Sequence, residues 1–230
     1  MIHVTRFADR AGLMAAAADR LAQSLRAALT DRGQACVALS GGATPEPAYC
    51  ALAQQDLDWT RVTFAMVDER CVAPDHEASN EAMLRRTLAA ALTAGAPLMP
   101  LYEADRDPKT MALRANATYA KLRIDVAVLG MGADGHTASW FACADELPAL
   151  LDPDNPRAVA ATHAPSAAGS ADRLTMTLAR LRRIPDLLLI IAGADKLEAL
   201  ARAEELGPAA MPVAALFIDG GRAPDVFWAP

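Results

Sequence analysis

Asp125-Val-Ala-Val-Leu-Gly-Met-Gly-Ala-Asp-Gly-His-Thr-Ala-Ser139 joins a short apolar run to a glycine-rich loop that carries an acid and a histidine. The run Asp125–Leu129 has no polar face, which suits a strand covered on both sides, as in a parallel sheet between layers of helix. A loop beyond the carboxyl end of such a strand is where α/β proteins place their ligands. The same unit recurs on both sides of this stretch. Cys36-Val-Ala-Leu39 is an apolar run stopped by Ser40-Gly-Gly42, with Thr44-Pro45 as N-cap and first residue of a helix over Pro45–Ala53. Val62–Val67 predicts a strand before a polar loop and a helix over Ser79–Ala94. Met111–Arg123 predicts the helix that leads into Asp125–Leu129.

Towards the N-terminus, Leu13, Ala17, Leu21, Leu25 and Leu29 recur every four residues while Asp19, Arg20 and Arg26 point elsewhere, the pattern of an amphipathic helix over Ala11–Leu29 ended by Gly33. Towards the C-terminus come strands at Arg173–Thr177, Leu187–Ala192 and Ala214–Ile218, and helices at Leu178–Arg183 and Asp195–Leu206. Asp145–Ser170, with Pro148, Pro153, Pro156 and Pro165, reads as an irregular excursion, a candidate lid or flap. No internal repeat divides the chain. The expectation is a single α/β domain over residues 1–230, with a mainly parallel sheet flanked by helices.

With 230 residues, 53% of them hydrophobic, the chain has material for a large core. Cys36, Cys50, Cys71 and Cys143 are widely spaced and form no C-x-x-C pair, which argues against a zinc site or a disulfide framework and for reduced thiols in the cytoplasm. Met1–Arg10 lacks a basic region followed by an apolar run, and no uncharged apolar stretch reaches membrane-spanning length, so neither export nor membrane insertion is expected. The net charge of −6 opposes binding to nucleic acid or to an anionic membrane. An anionic ligand must therefore be held by local cations.

Ser40-Gly-Gly-Ala-Thr44-Pro45 lies where a strand feeds a helix, so its backbone N–H groups can converge on a phosphate or a sugar oxygen; a tight turn without a ligand has the same sequence. Ala38-Leu-Ser40-Gly-Gly42 is also a degenerate G-x-S-x-G nucleophile elbow that lacks its first glycine. Gly130-Met-Gly132-Ala-Asp-Gly135 formally satisfies the dinucleotide pattern G-x-G-x-x-G. A dinucleotide unit would continue into an apolar helix and a second strand ending in an acid. Here His136-Thr-Ala-Ser-Trp-Phe141 runs instead into the proline-rich excursion, which argues against that ligand.

Asp134 and His136 then remain as a carboxylate and an imidazole two residues apart at a strand end. A histidine takes up a proton near neutral pH, and a nearby carboxylate fixes its tautomer. A structural histidine capping a turn is the competing reading. Asp68-Glu69-Arg70 follows another apolar strand, with Arg70 as a forked phosphate donor and Asp68 or Glu69 to orient it. Ser79-Asn80 opens a helix as a cap, and Asn80 can also reach sugar hydroxyls. Arg173-Leu-Thr175 and Gly193-Ala-Asp-Lys196 supply further cations beside strand ends. Taken singly these are ordinary surface charges. Taken together, Arg70, Arg173 and Lys196 can offset a phosphate dianion inside an acidic chain.

In identity and order, Ser40-Gly-Gly-x-Thr-Pro45, Asp68-Glu-Arg70, Ser79-Asn80, Gly130-x-Gly-x-Asp-Gly-His-Thr-Ala-Ser139, Arg173-x-Thr175 and Gly193-x-x-Lys196 resemble the 6-phosphogluconolactonase family. Glucosamine-6-phosphate deaminases are similar in plan but typically carry Asn-Gly-His-Ile-Gly and Asp-Glu-Tyr at the two decisive places. The chain departs from the lactonase pattern in having Trp140-Phe-Ala142 where Leu-Phe-Pro is common, and Ala73 where many members have proline. The resemblance implies a modified Rossmann-like α/β fold, no metal or organic cofactor, and hydrolysis of a phosphorylated sugar lactone. It makes His136 the general base, with Asp134 orienting the loop or the imidazole. Arg70, Arg173 and Lys196 would hold the phosphate, and Ser40, Gly41, Gly42, Thr44, Asp68 and Asn80 would complete substrate binding. Three alternatives stay open at this point: a deaminase-like isomerase, a sugar-phosphate-binding protein without catalysis, and an esterase with Ser40 as nucleophile.

Overall fold

The computed structural model describes residues 2–218 and 222–230. In chain order the elements are β1 (Val4–Arg6), α1 (Arg10–Arg32), β2 (Ala35–Leu39), α2 (Glu46–Leu52), β3 (Val62–Met66), β4 (Asp68–Arg70), α3 (Asn80–Thr87), α4 (Ala89–Thr93) and α5 (Pro108–Tyr119). They continue with β5 (Val126–Leu129), α6 (Leu147–Leu150), β6 (Val159–His163), β7 (Asp172–Met176), α7 (Leu178–Leu181), β8 (Asp186–Ala192), α8 (Ala194–Leu206) and β9 (Asp225–Ala229). Short 3-10 turns lie at Trp59–Arg61 and Pro212–Phe217.

Local chemistry explains where the long helix begins and ends. The Asp9 side chain accepts from the Gly12 N–H at the start of α1, satisfying one of the unpaired first-turn donors. Gly33, at φ 71°, closes its last turn by donating to the Leu29 carbonyl. Leu13, Ala17, Leu21 and Leu25 are fully buried along its inner face. Burying each leucine contributes about 1.5–3 kcal/mol, so a charge at Leu21 would remove most of what fixes the helix to the sheet.

Six strands pair in the order β1-β9-β8-β5-β2-β3, every neighbouring pair parallel. Helix α1 packs on β2 and α2, and α8 packs on β8. All residues of β2 and β5 are buried, as their uninterrupted apolar character predicts. From β2 the chain moves outward to β3, then returns to the other side of β2 for β5 and continues to β8. The loops after β2 and β5 therefore part from each other and leave a crevice at the carboxyl ends of these strands.

The second sheet is antiparallel, in the order β4-β7-β6. Val67 alone separates β3 from β4, and it belongs to both sheets: its N–H donates to the Leu39 carbonyl at 3.0 Å, and its own carbonyl accepts from the Met176 N–H at 2.8 Å. One hydrophobic cluster runs from α1 through β2, β5 and β8 to Leu174 and Met176 of β7.

Several local expectations change. Ala214–Ile218 is no strand: Pro212–Leu216 is buried throughout and winds as a 3-10 turn. A short apolar run buried on all sides has no period that separates strand from helix. The place beside β8 is taken instead by β9, and β1 forms the edge beyond it. Within Asp145–Ser170, Val159–His163 is regular and pairs with β7 as β6. Asp68–Arg70 is a strand in its own right. The helix expected over Ser79–Ala94 breaks at Leu88 into α3 and α4. Cys36, Cys50, Cys71 and Cys143 are free thiols, and burial pushes those of Cys36 and Cys71 up to about 12.

Candidate active site

The loops after β2, β5 and β8 meet β4 and β7 around a cleft of about 280 Å³. That is just below the roughly 300–1,000 Å³ usual for ligand pockets and suits a small ligand on the scale of one phosphosugar. Ser40, Gly41, Gly42, Thr44, Asp68, Arg70, Asn80, His136, Arg173 and Lys196 all line it. Of the residues expected to be catalytic or to bind substrate, only Asp134 stands outside the lining.

Asp134 supports the histidine from behind. Its carboxylate lies 2.6 Å from His136 Nδ1 and also accepts from the His136 backbone N–H at 3.2 Å. The hydrogen bond to His136 holds the Asp134 carboxyl below its ordinary 3.8, against a smaller opposing effect of burial. An ionised carboxylate can only accept, so Nδ1 carries the hydrogen and Nε2 keeps a lone pair. Gly132 makes room for this pair: a Cβ there would fall 2.2 Å from His136 Nδ1 and 2.3 Å from the Asp134 oxygen. Beyond the histidine, Ala138 adopts φ 50°, a left-handed conformation rare for a residue with a Cβ. Such local strain clusters at functional sites.

Two of the three cations come from the small sheet. In the β4–β7 ladder Arg70 is directly opposite Arg173 and Asp68 opposite Thr175. Arg70 Nη1 donates to the Ala78 carbonyl, while its buried Nε has no partner. Arg173 donates to the Ser170 carbonyl at 2.7 Å and to the Ala168 carbonyl. Burial lowers the affinity of the Arg173 guanidinium for its proton; Asp68 opposes this and Arg70 adds to it. Lys196 stands near the amino end of α8, 3.6 Å from Asp195.

The carboxylates of the triplet serve other ends than the one predicted. Neither Asp68 nor Glu69 grips the Arg70 guanidinium. Glu69 is fully buried and accepts from the N–H groups of Arg70, Asn80 and Glu81 at 2.6–2.8 Å and from Ser79 Oγ at 3.0 Å. Burial pushes its carboxyl up, against these four hydrogen bonds. Glu69 thus ties β4 to the first turn of α3, where Ser79 also caps the Ala82 N–H. Asp68 accepts from Ser139 Oγ at 2.7 Å. Asn80 donates to the Asp68 carbonyl at 2.9 Å and lies where any Cβ on Gly41 would collide with it, at 1.9 Å.

Ser40 is buried, and its hydroxyl donates to the Val128 carbonyl at 2.9 Å. That contact crosses from β2 to β5 and gives Ser40 a structural bond in place of a base. Residues missed in the sequence reading include Phe141, stacked on His136, and the apolar wall of Met131, Ile190 and Ile191. Phe141 lay in plain view two positions beyond Ser139, but nothing in linear spacing says that its ring turns back. Among the described residues no group of three or more His, Cys, Asp or Glu is placed to hold a metal ion. Among them, too, no helix is long and apolar enough to cross a membrane.

Residues 8–228 match the family model described as glucosamine-6-phosphate isomerases/6-phosphogluconolactonase. A 6-phosphogluconolactonase of Rhizobium meliloti is 39% identical over 227 residues, covering 97% of each chain. One of Pseudomonas putida is 39% identical over 232 residues, covering 100% of this chain and 93% of the relative. Among solved structures, a 6-phosphogluconolactonase from Shewanella baltica superposes with a TM-score of 0.93 at 30% identity, covering 100% of this chain and 98% of that one.

Proposed function

The chain belongs to the glucosamine-6-phosphate isomerase/6-phosphogluconolactonase family, and from that premise we propose that it hydrolyses 6-phosphoglucono-δ-lactone to 6-phosphogluconate in the oxidative pentose phosphate pathway. The observation that carries this reading is that one sugar-sized cleft holds two facing arginines and an imidazole whose Nε2 is left basic by Asp134. Arg70, Arg173 and Lys196 bind the phosphate. The Ser40–Thr44 loop, Asp68 and Asn80 meet the sugar hydroxyls.

His136 Nε2 takes a proton from water as the water oxygen forms a bond to the lactone carbonyl carbon. Backbone N–H groups of the Gly130–Gly135 loop stabilise the resulting oxyanion, a class of contact worth about 3 kcal/mol per donor. The tetrahedral intermediate collapses by breaking the bond to the ring oxygen, which receives the proton back from the imidazolium. The product carboxylic acid then ionises. The two sheets act as one unit around this cleft, and the proposed place of this work is the cytoplasm.

The test is a coupled assay on freshly generated 6-phosphoglucono-δ-lactone, corrected for spontaneous hydrolysis. Enzyme-dependent turnover at 1 s⁻¹ or faster, on the order of ordinary enzymes, is expected. Phosphosugar binding without turnover, or ammonia release from glucosamine 6-phosphate, would overturn the reading. Covalent labelling of Ser40 by a phosphonate would replace water attack with a serine mechanism.

A further inference from the structure

We propose that Phe141 is a positioning residue for this hydrolysis, setting the plane of the His136 imidazole and the place of the Arg173 guanidinium through one aromatic ring. The inference rests on the lactonase reading of the cleft. The Phe141 ring centroid lies 4.3 Å from that of His136, with 25° between the planes, and Arg173 Cζ lies over the same ring at 5.5 Å from its centroid.

Phe141 is 6% exposed, yet it lies outside the main core and shares a small separate cluster with Ala144 and Ala164. Alanines offer a phenyl ring little surface, and both of its ring-face contacts are with the proposed base and the proposed phosphate ligand. The ring is itself held firmly. Trp140 is fully buried and its Nε1 donates to the Met176 carbonyl at 2.8 Å. The Ser139 N–H donates to Thr175 Oγ1 at 3.2 Å, and Ser139 Oγ to Asp68. Residues 139–141 are thus stapled to β4 and β7, the strands that carry the arginines, whereas His136 belongs to the loop that grows out of β5.

The hydrogen bond from Nδ1 to Asp134 fixes one point of the imidazole and leaves rotation about it free. Asp134 is also a loose anchor, its side chain being 61% exposed. A flat surface against the ring removes the remaining rotation and aims Nε2. Aromatic faces also attract cations, so the same ring favours the Arg173 guanidinium where it lies.

Phe141→Leu keeps comparable bulk without a π face; Phe141→Tyr keeps the face. In Phe141→Leu, kcat is expected to fall about 10–30-fold and KM to rise several-fold, and the ring-current displacement of the His136 Cε1–H NMR signal to be lost. Phe141→Tyr should restore all three to within about threefold. If Phe141→Leu does not melt cooperatively, Phe141→Met takes its place with the same expectations. A folded variant whose KM and His136 Cε1–H signal stay at the wild-type values, whatever its melting temperature, overturns the proposal. Lack of lactone hydrolysis by the wild-type protein would overturn the functional reading instead. In that case the His136 Cε1–H signal, moved in Phe141→Leu and restored in Phe141→Tyr, would still support the contact, and an unmoved signal would refute it.

Discussion

Arg70 and Arg173 are directly opposite each other in an antiparallel ladder. Like charges so placed repel, and burial adds to the cost. Neither guanidinium is neutralised by a carboxylate ion pair, since both are held by backbone carbonyls. On the proposed reading, an anion that arrives from outside completes this arrangement. Inorganic phosphate should therefore raise the melting temperature of the wild-type protein, because a ligand that binds only the folded state stabilises it. Arg70→Met should abolish that rise and increase KM for the lactone about 10–100-fold, with kcat within a few-fold. An unchanged KM would remove Arg70 from the phosphate site.

His136→Ala is expected to lower kcat by about 10²–10⁴ with KM within a few-fold, the signature of a group that acts in the transition state. Steady-state kinetics after subtraction of the uncatalysed rate measures it. Near-normal turnover would refute the general-base role.

The Asp134 carboxyl is held below 3.8 by its hydrogen bond to His136. A carboxylate with a depressed folded-state value contributes stability above its unfolded value and loses it as pH falls through the folded one. Asp134→Asn should therefore be less stable than wild type at pH 5–7, and the difference should close as pH drops below that ordinary value. Urea denaturation at pH 7 and pH 3 tests the sign. Turnover by the asparagine variant should drop about 10-fold or more, because a neutral amide no longer selects the tautomer with Nε2 unprotonated.

Gly132 is not in the left-handed region, so Gly132→Ala is tolerated by the backbone and acts only through its Cβ, 2.2 Å from His136 Nδ1. To clear it the imidazole must retreat by roughly 1 Å, which should lower kcat about 100-fold while KM and thermal stability change little. A variant with normal kcat would show that the loop yields without moving the base.

Glu69→Gln places an amide where four donors converge on a buried carboxylate. The expected loss is about 3 kcal/mol, which for a chain of this size lowers Tm by roughly 6–12 °C. Calorimetry would show a much smaller drop if Glu69 did not tie β4 to α3.

Much of this fold was legible because its central strands are buried on both faces. Val126–Leu129 and Val37–Leu39 show it as unbroken apolar runs, and the four-residue spacing from Leu13 to Leu25 shows the helix above them. The edge strand β1 and its neighbour β9 were missed: Val4–Arg6 is short and carries no apolar run, and the apolar run Val226–Ala229 has no helix after it to complete the alternation of strand and helix. The prolines of residues 145–170 concealed β6, whose pairing partner is read only in three dimensions. At the site, residue type announced His136, Arg70, Arg173 and Lys196. What each contact does was not legible: Glu69 grips a helix start where a guanidinium was expected, and Phe141 joins two residues 37 positions apart in the chain.

Val67 bonds to β2 on one side and β7 on the other, and so marks a boundary in this molecule. On the proposed reading the antiparallel ribbon supplies the two arginines that meet the phosphate, while the parallel sheet supplies the proton acceptor, with Lys196 and the Ser40–Thr44 loop beside it. The arginine pair and the reacting imidazole would thus be inherited on separate pieces of backbone joined at a seam. Side chains on the ribbon can be exchanged to suit another anionic group while the proton acceptor keeps its place.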